Sequence, residues 1–268
     1  MLSKDDYIRD KYSAEDLRDI LRILREPGGC PWDAEQTHSS IRNCLLEEAY
    51  EVADAIDNND DTALCEELGD LLLQVYFHAQ IGQEEESFDF DSVTDGICKK
   101  LILRHPHVFG EVKVDSTDDV LNNWDAIKRI EKSQKTYSDT LESVPRAFPA
   151  LMRASKVQKR AGKAGFDWDN LKDAFSKLPE ETKELSEAIE SGEKERIQEE
   201  FGDLLFAAVN VSRFLNIDAE ESLAAATDKF IARFKAVEQC VNTKGKDMKE
   251  LSLEELDDIW KQVKAKNN

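Results

Sequence analysis

Apolar residues recur along this chain at the three- and four-residue spacing that places them on one face of a helix. The first such segment spans 14–25 and carries Leu17, Ile20, Leu21 and Leu24. Gly and Pro interrupt the pattern at 27–33, where we expect a turn. The same spacing predicts further helices in the first half at 39–57, at 62–82, at 92–103 and around Trp124.

The second half repeats this order of helices. They are predicted at 150–161, 171–190, 194–215 and 219–242, followed by one that holds Trp260. No segment shows the alternating apolar and polar residues of a strand. The sequence therefore predicts an all-α protein, built as two tandem helical-bundle repeats that arose by duplication. We place the first repeat at 1–131, a polar linker at 132–148 and the second repeat at 149–268.

Acidic residues repeat between the two halves at a constant separation of 133 positions. Each half has two pairs whose members are three positions apart, so both carboxylates of a pair lie on one helix face about one turn apart. Two such helices can surround a hard cation with oxygen ligands. The pattern predicts a divalent-metal site in each repeat, formed by Glu48, Glu51, Glu67 and Asp70 in the first and by Glu181, Glu184, Glu200 and Asp203 in the second.

Acidic pairs with this spacing also arise by chance in a chain with 57 acidic residues, and most acidic runs are solvated helix faces. The constant separation favours the metal site. Asp70 and Asp203 each run directly into an apolar stretch, which predicts that they stand at the edge of a buried face. An unpaired carboxylate is costly there, and few Lys or Arg residues lie beside either one in the sequence. A divalent metal ion is therefore the expected partner.

Composition narrows the candidate partners. The 36 basic and 57 acidic residues give a net charge of −21, which argues against nucleic acid, because phosphate backbones need a basic surface. It does not exclude a nucleotide, because bound cations can reverse the local sign of a site. No apolar run approaches the ~20 residues that cross a membrane. The N-terminus lacks a signal-peptide pattern, and the five cysteines are an odd count typical of reduced thiols, so we expect a cytoplasmic protein.

Two further motifs recur outside the acidic helices. They pair Lys100 and Arg104 with Lys229 and Arg233, and Trp124 with Trp260. Either motif alone is more typical of a surface basic pair or of an amphipathic Trp. Together, beside metal-binding carboxylates, they indicate a triphosphate site. Lys and Arg neutralise phosphate oxygens, and Trp offers a face on which a base can stack.

Four strings make the sequence recognisable as a whole. They are Gly28-Gly-Cys-Pro-Trp-Asp33, Arg104-His-Pro-His-Val-Phe109, Lys156-Val-Gln-Lys-Arg160 and Gly165-Phe-Asp-Trp168. With these strings and the acidic pairs, nearly the whole chain resembles the two-repeat form of the MazG family of nucleoside triphosphate pyrophosphohydrolases. The acidic pairs alone are shared with other all-α nucleotide pyrophosphohydrolases, whereas the first two strings are far more particular.

The resemblance implies an enzyme that uses Mg²⁺ to cut nucleoside triphosphates, ATP among them, between the α and β phosphates. The products would be nucleoside monophosphate and pyrophosphate. It also implies a homodimer in which helices from two chains complete each bundle. The sequence supports the dimer independently, because the helix at 194–215 has apolar residues on more than one face, namely Leu204, Leu205, Phe206, Val209 and Val211.

The resemblance assigns roles to individual residues. The metal set of the second repeat is the one given above, and this repeat is expected to carry the main activity. Glu199, Lys229, Arg233 and Trp260 would contact the nucleotide, and Arg196 stands where the family often has a basic residue. The first repeat keeps Lys100, Arg104 and Trp124 as counterparts. For the proton acceptor we expect Glu180 or Glu199. Pro179 predicts that its helix begins late or is kinked.

Two other classes of function fit the sequence less well. A helical interaction protein could bind a basic partner through its acidic faces, but it would have no use for the paired Lys, Arg and Trp motifs. A calcium-binding module would need an EF-hand loop, which the sequence lacks. The preferred base and sugar, the physiological role and the activity of the first repeat are left open by the sequence.

Overall fold

The structure is a computed structural model that describes residues 8–114, 116–131 and 134–266. The chain divides into two compact units, Met1–Lys128 and Arg129–Asn268. All regular secondary structure in the described residues is helical, which confirms the predicted all-α class. None of the described helices is both long enough and apolar enough to cross a membrane.

The first unit is built around a pair of long helices joined by a short turn. In chain order its helices are α1 (Ala14–Arg25), α2 (Pro31–Glu35), α3 (Arg42–Asp57), α4 (Asp61–Glu84), α5 (Phe90–Arg104), α6 (Pro106–Phe109) and α7 (Thr117–Glu131), the last of which continues past the boundary. The side chain of Asp60 accepts hydrogen bonds from the backbone at Thr62 and Ala63 and so caps α4. The buried core contains Leu21, Ile41, Tyr76, Phe77 and Ile81.

Arg25 ties three helices of the first unit together. Its guanidinium is almost fully buried and donates to the Glu84 carboxylate from Nη2 at 2.7 Å and from Nε at 3.0 Å. It also donates to the backbone carbonyls of Asp33 and Gln36 around α2. A bidentate charged pair of this kind fixes orientation as well as distance. The contact therefore sets how α1, α2 and α4 meet.

The second unit has the same central feature, a pair of long helices joined by a tight turn. Its helices are α8 (Tyr137–Glu142), α9 (Ala150–Lys163), α10 (Leu171–Ser191), α11 (Lys194–Phe214), α12 (Ala219–Thr243) and α13 (Leu253–Lys266), with a 3-10 turn at Met248–Glu250. Asn170 caps the start of α10, and Gly192 ends it with φ at 73°. Glycine suits that left-handed position because it has no Cβ. A separate core between α12 and α13 contains Val237, Val241, Ile259 and Val263.

The long helices agree with the predicted ones, and their ends differ by at most a few residues. Three short helices, α2, α6 and α8, were not predicted, because four to six residues hold too little of the helical period to show it. The helix that contains Pro179 begins at Leu171, so the expected late start was wrong. Asn170 supplies the start instead, and Pro179 lies in the interior of α10.

Several large apolar side chains on α10 and α11 are exposed in the single chain. They include Phe175, Ile189, Phe201 and Leu205. Val209 and Val211 on α11 are buried, so this helix has apolar residues on more than one face, as the sequence predicts. Among the residues that the structure describes, nothing covers these side chains, and exposed apolar patches of this kind mark interaction surfaces.

Candidate metal and nucleotide site

Three carboxylates converge between α10 and α11 in the second unit. Glu181 and Glu184 lie one turn apart on α10, and Glu200 lies on the neighbouring helix. One oxygen of each can be chosen so that all three lie within 4.8 Å of one another. Glu181 is buried, with 8% of its surface exposed, and the other two are half-buried. The arrangement supplies only oxygen ligands, which suits a hard divalent cation.

The electrostatics of this cluster also favour a bound cation. The pKa of Glu184 is raised above its ordinary value by partial burial and then by the negative charges of Glu181, Glu200 and Glu180. Like charges held this close disfavour the ionised state. A cation between them removes the repulsion and lets all of them ionise. The residues present therefore fit a divalent metal ion.

A lysine that we did not assign to the site lies against this cluster. The Nζ of Lys177 is 2.7 Å from Glu180 Oε1 and 3.0 Å from Glu181 Oε1. Hydrogen bonds to these two carboxylates raise the pKa of Lys177. The sequence could have indicated this contact, because Lys177 stands three and four positions before the two glutamates and residues at that spacing lie on one helix face. Arg196, which was predicted, lies with its Nε 3.8 Å from Glu200 Oε1.

The fourth predicted carboxylate of the second set, Asp203, is not one of the three that converge. Asp203 is exposed, and it lines a cavity together with Glu181. Asp70 is exposed as well, so neither aspartate stands at the edge of the buried face. The first buried residue after each, Gln74 and Ala207, comes one helical turn later. That extra turn explains the difference.

The first unit holds a second acidic cluster at the equivalent positions. Oxygens of Glu48, Glu67 and Asp70 lie within 4.8 Å of one another. The pKa of Glu48 is raised by desolvation, then by the charge of Asp70, and then by Glu51, which also shares a hydrogen bond with it. The pKa of Glu67 is raised by desolvation and then by the charges of Glu51 and Asp70. All four predicted carboxylates of this repeat therefore influence one another.

The two clusters differ in their basic neighbours. The second has Lys177 on α10 and Arg196 on α11. At the positions 133 residues earlier, the first has Cys44 and Ala63, neither of which is a basic residue. Only the second cluster therefore has a cation at both of these places.

The predicted phosphate-binding residues lie on other helices. Lys229 and Arg233 are one turn apart on α12, which packs against α9 and α13. In the part of the chain that the structure describes, neither forms an ion pair with the carboxylates of α10 and α11. Trp260 packs against the α12–α13 core, with its ring centroid 5.2 Å from that of Phe230. The structure thus brings the predicted Lys, Arg and Trp of this repeat together on α12 and α13.

In the first unit, the corresponding residues lie on α5 and α7. Lys100 and Arg104 are one turn apart near the end of α5. Trp124 is partly exposed on α7, with its ring centroid 6.3 Å from that of His105, which follows α5. The same grouping of a basic pair with a Trp therefore recurs in both units.

A cavity that no sequence pattern predicts adjoins the acidic cluster of the second unit. It has a volume of about 560 Å³ and lies between α9, α10, α11 and the turn after α9. Glu181 and Asp203 form part of its wall, and Phe166, Trp168 and Phe206 give it an aromatic lining. Ligand pockets in proteins are commonly ~300–1,000 Å³. The cavity is therefore large enough for part of a nucleotide.

The family model for the MazG nucleotide pyrophosphohydrolase domain matches this chain twice, at residues 36–109 and 170–238. The chain belongs to the MazG family. The two matches contain the two acidic clusters, which confirms the predicted duplication. They also confirm the prediction of an enzyme of this family. Lys229 and Arg233 lie within the second match, whereas Trp260 lies beyond it.

MazG relatives match the chain over nearly its full length. The nucleoside triphosphate pyrophosphohydrolase/pyrophosphatase MazG of Thermotoga maritima is 46% identical over 94% of this chain and 95% of its own. The nucleoside triphosphate pyrophosphohydrolase of Escherichia coli K12 is 45% identical over 92% of this chain and 95% of its own. The uncharacterized protein YabN of Bacillus subtilis is 48% identical over 92% of this chain, which corresponds to 51% of that longer protein.

Proposed function

We propose that this protein hydrolyses nucleoside triphosphates between the α and β phosphates, with Mg²⁺, and releases nucleoside monophosphate and pyrophosphate. The observation that carries the proposal is the convergence of Glu181, Glu184 and Glu200 within 4.8 Å, beside a cavity large enough for part of a nucleotide. Its MazG relatives are named nucleoside triphosphate pyrophosphohydrolases, which supports the same reaction class.

In this proposal, Glu181, Glu184 and Glu200 hold the metal, and Asp203 completes the set from the cavity wall. Mg²⁺ prefers oxygen ligands, and when bound it neutralises phosphate charge and lowers the pKa of a coordinated water. Glu180 and Glu199 are exposed neighbours of the metal ligands. Because either one can accept a proton without giving up a metal contact, they are the candidate general bases.

The basic residues of the second unit divide into two groups. Lys177 and Arg196 lie against the carboxylates, where a triphosphate on the metal would meet them. Lys229, Arg233 and Trp260 approach from α12 and α13 and would contact the nucleotide outside that centre. In the first unit, Lys100, Arg104 and Trp124 would play the second role around Glu48, Glu51, Glu67 and Asp70. We propose that the second unit carries the main activity.

The chain organisation that we propose is a first repeat at 1–131, a linker at 132–148 and a second repeat at 149–268. Helix α8 lies within the linker segment and packs against α9. Arg160 on α9 donates to the Thr140 carbonyl and to the Ser143 hydroxyl, so this part of the segment is anchored to the second unit.

We further propose that two copies of the chain associate through the exposed apolar face of α10 and α11. Phe175, Ile189, Phe201 and Leu205 would be buried in that interface, and the long helices of two chains would complete each bundle. The net charge of −21 supports a small-molecule substrate and no nucleic-acid partner. A cytoplasmic location is consistent with the nucleotide substrate.

The test is a product analysis. The protein is incubated with each nucleoside triphosphate and Mg²⁺, and the products are separated by anion-exchange chromatography and identified by ³¹P NMR. We expect pyrophosphate and nucleoside monophosphate in equal amounts, no turnover with EDTA, and poor turnover of nucleoside diphosphates. Glu200→Gln should lose most of the activity. A nucleoside diphosphate with orthophosphate as first products would contradict the proposal, and an interaction protein would show no turnover at all.

A further inference from the structure

The cavity of the second unit has features that the hydrolysis of a triphosphate alone does not explain. Part of its wall is charged, and that part consists of Asp203, the Lys177–Glu181 pair and the Arg213–Asp167 pair. The wall also holds aromatic rings and two amides, Gln158 and Asn210. These rings and amides carry no charge that would bind phosphate. They are, however, the groups that recognise an uncharged, flat molecule with polar edges.

The aromatic part of the lining is exposed. Phe166 is 85% exposed, and Trp168 and Phe206 are also exposed to solvent. An exposed aromatic ring in a cavity wall presents a flat apolar face that gains free energy when another flat ring covers it. Any of the nucleobases can stack on such a face, because every base has a π face.

The amide of Gln158 is held in one orientation. Its Nε2 donates to the Phe206 carbonyl at 2.8 Å, and a carbonyl oxygen can only accept, so the other amide atom must be the oxygen. Gln158 is 7% exposed, and its Oε1 has no hydrogen-bond partner among the described residues. A buried acceptor without a donor is costly in a folded protein. An N–H group in the cavity would remove that cost.

Asn210 is oriented by a second set of contacts. Its Oδ1 accepts from Nη2 of Arg213 at 2.9 Å and from Nε of Arg213 at 3.2 Å. Arg213 is itself held by Asp167, whose Oδ2 accepts from Nη1 at 2.8 Å. Because the oxygen of Asn210 is engaged, its Nδ2 is left as a donor. The cavity therefore combines one acceptor and one donor at fixed places with aromatic faces.

We propose that this cavity is the base-recognition subsite of the second unit and that Gln158 Oε1 accepts a hydrogen bond from an N–H group of the nucleobase. The inference rests on the proposed function, since the phosphates are taken to lie at Glu181 and Asp203. Phe166 and Trp168 supply the stacking faces, and Asn210 donates to a ring nitrogen or carbonyl of the base. This gives the base a site separate from Trp260, which packs against Phe230 on α12 and α13.

The test compares substrates with and without an N–H donor. Adenine, guanine, cytosine and uracil each carry one, whereas the purine base of purine riboside triphosphate carries none. In the unmodified protein, kcat/KM for purine riboside triphosphate should be about tenfold below that of the best natural triphosphate, because the buried acceptor stays unpaired. In Gln158→Leu, we expect this difference to fall to less than about threefold, with the loss confined to the natural substrates.

Two further variants keep the inference falsifiable. Phe166→Ala alters a highly exposed side chain, so the protein should fold, and kcat/KM should fall by about tenfold for all five substrates as stacking is lost. Trp260→Leu should preserve the discrimination against purine riboside triphosphate. The inference fails if Gln158→Leu keeps the discrimination, if Phe166→Ala changes no substrate, or if Trp260→Leu is the variant that abolishes the discrimination.

Failure of the inference can be told apart from failure of the proposed function. Calorimetric binding of adenosine and purine riboside monophosphates measures base recognition without any hydrolysis. Pyrophosphate release with no discrimination that depends on Gln158 would refute the base subsite alone. Discrimination in binding with no pyrophosphate from any triphosphate would refute the reaction and leave the subsite standing. Circular dichroism and thermal unfolding of each variant check that it is folded.

Discussion

The ammonium group of Lys177 lies 3.0 Å from Oε1 of Glu181, the buried member of the acidic cluster in the second unit. The same carboxylate is therefore shared between a lysine on its own helix and the proposed metal. In the metal-free protein, Lys177 offsets part of the repulsion within the cluster. A metal ion held by the cluster would take over that role, and Lys177 would then be available to a phosphate oxygen.

We predict that Lys177→Met lowers stability in the absence of metal and increases the stabilisation that Mg²⁺ provides. Without metal, losing a partly exposed ion pair should cost about 0.5–1 kcal/mol and lower Tm by roughly 1–4 °C. The gain in Tm on adding Mg²⁺ should be larger in the variant, because the metal replaces more lost attraction. Differential scanning calorimetry with EDTA and with Mg²⁺ measures both. Lys183→Met is the matched control, because Lys183 forms an exposed ion pair with Glu187. A gain in Tm with Mg²⁺ that is no larger in Lys177→Met than in the unmodified protein would contradict the sharing of Glu181 between Lys177 and the metal.

The helices and the clusters were predictable because both depend on local spacing. A period of 3.6 residues repeated over the length of α10 or α11 is visible in the sequence, and so are carboxylates one turn apart, such as Glu181 and Glu184. The cavity was not predictable. Gln158 and Asn210 come from helices that are distant in the sequence, and the free acceptor of Gln158 depends on a contact with the Phe206 backbone that no pattern reveals. Asp203 was misjudged because burial begins one turn later than the apolar run.

We predict that Asp167 stabilises the second unit in a pH-dependent way. The pKa of Asp167 is lowered, first by the side-chain hydrogen bonds from Arg213. A carboxyl with a depressed folded-state pKa contributes stability above its unfolded value near 3.8, and this contribution is lost as the pH falls through the folded pKa. Asp167→Asn should therefore lower the free energy of unfolding by about 1–2 kcal/mol at pH 7, because it leaves Arg213 without its charged partner. At a pH below the folded-state pKa of Asp167, the substitution should change the free energy of unfolding very little.

Urea unfolding of the protein and of Asp167→Asn, from pH 7 downwards, gives this difference directly. Asp169→Asn is the control, because Asp169 lies in the same turn and carries the same charge. A cost that stayed constant as the pH fell would mean that packing, and not the charge of Asp167, is responsible.

We predict a homodimer in solution. Sedimentation equilibrium at micromolar concentration should give twice the 30.5 kDa of one chain. Leu205→Glu places a charge in the exposed apolar face of α11 and should shift the equilibrium towards the monomer, because burying an unpaired carboxylate is costly. Leu253→Glu is the matched control, since Leu253 is 84% exposed at the start of α13. Equal effects of the two changes, or a single chain at all concentrations, would argue against this interface.

We predict that the two repeats contribute unequally to turnover. Asp203→Asn and Asp70→Asn each remove one negative charge from an equivalent position with little change of shape. The second cluster has Lys177 and Arg196 as neighbours to hold phosphate, whereas the first has Cys44 and Ala63 there. Loss of a metal ligand commonly costs at least about ten- to a hundredfold in activity. Asp203→Asn should therefore lower kcat/KM by at least about tenfold. Asp70→Asn should keep more than about a third of the kcat/KM of the unmodified protein.

The measurement is the rate of pyrophosphate release by the two single variants and by the double variant, over a range of Mg²⁺ concentrations. It shows how much each repeat contributes to turnover. If the repeats act independently, their turnover rates add, so the loss in the double variant should equal the sum of the losses in the two single variants. Restoration of Asp203→Asn at high Mg²⁺ would locate its defect in metal binding, in agreement with its assigned role. Equal losses in the two single variants would show that both repeats work, and full activity in Asp203→Asn would overturn the assignment of the second unit as the main site.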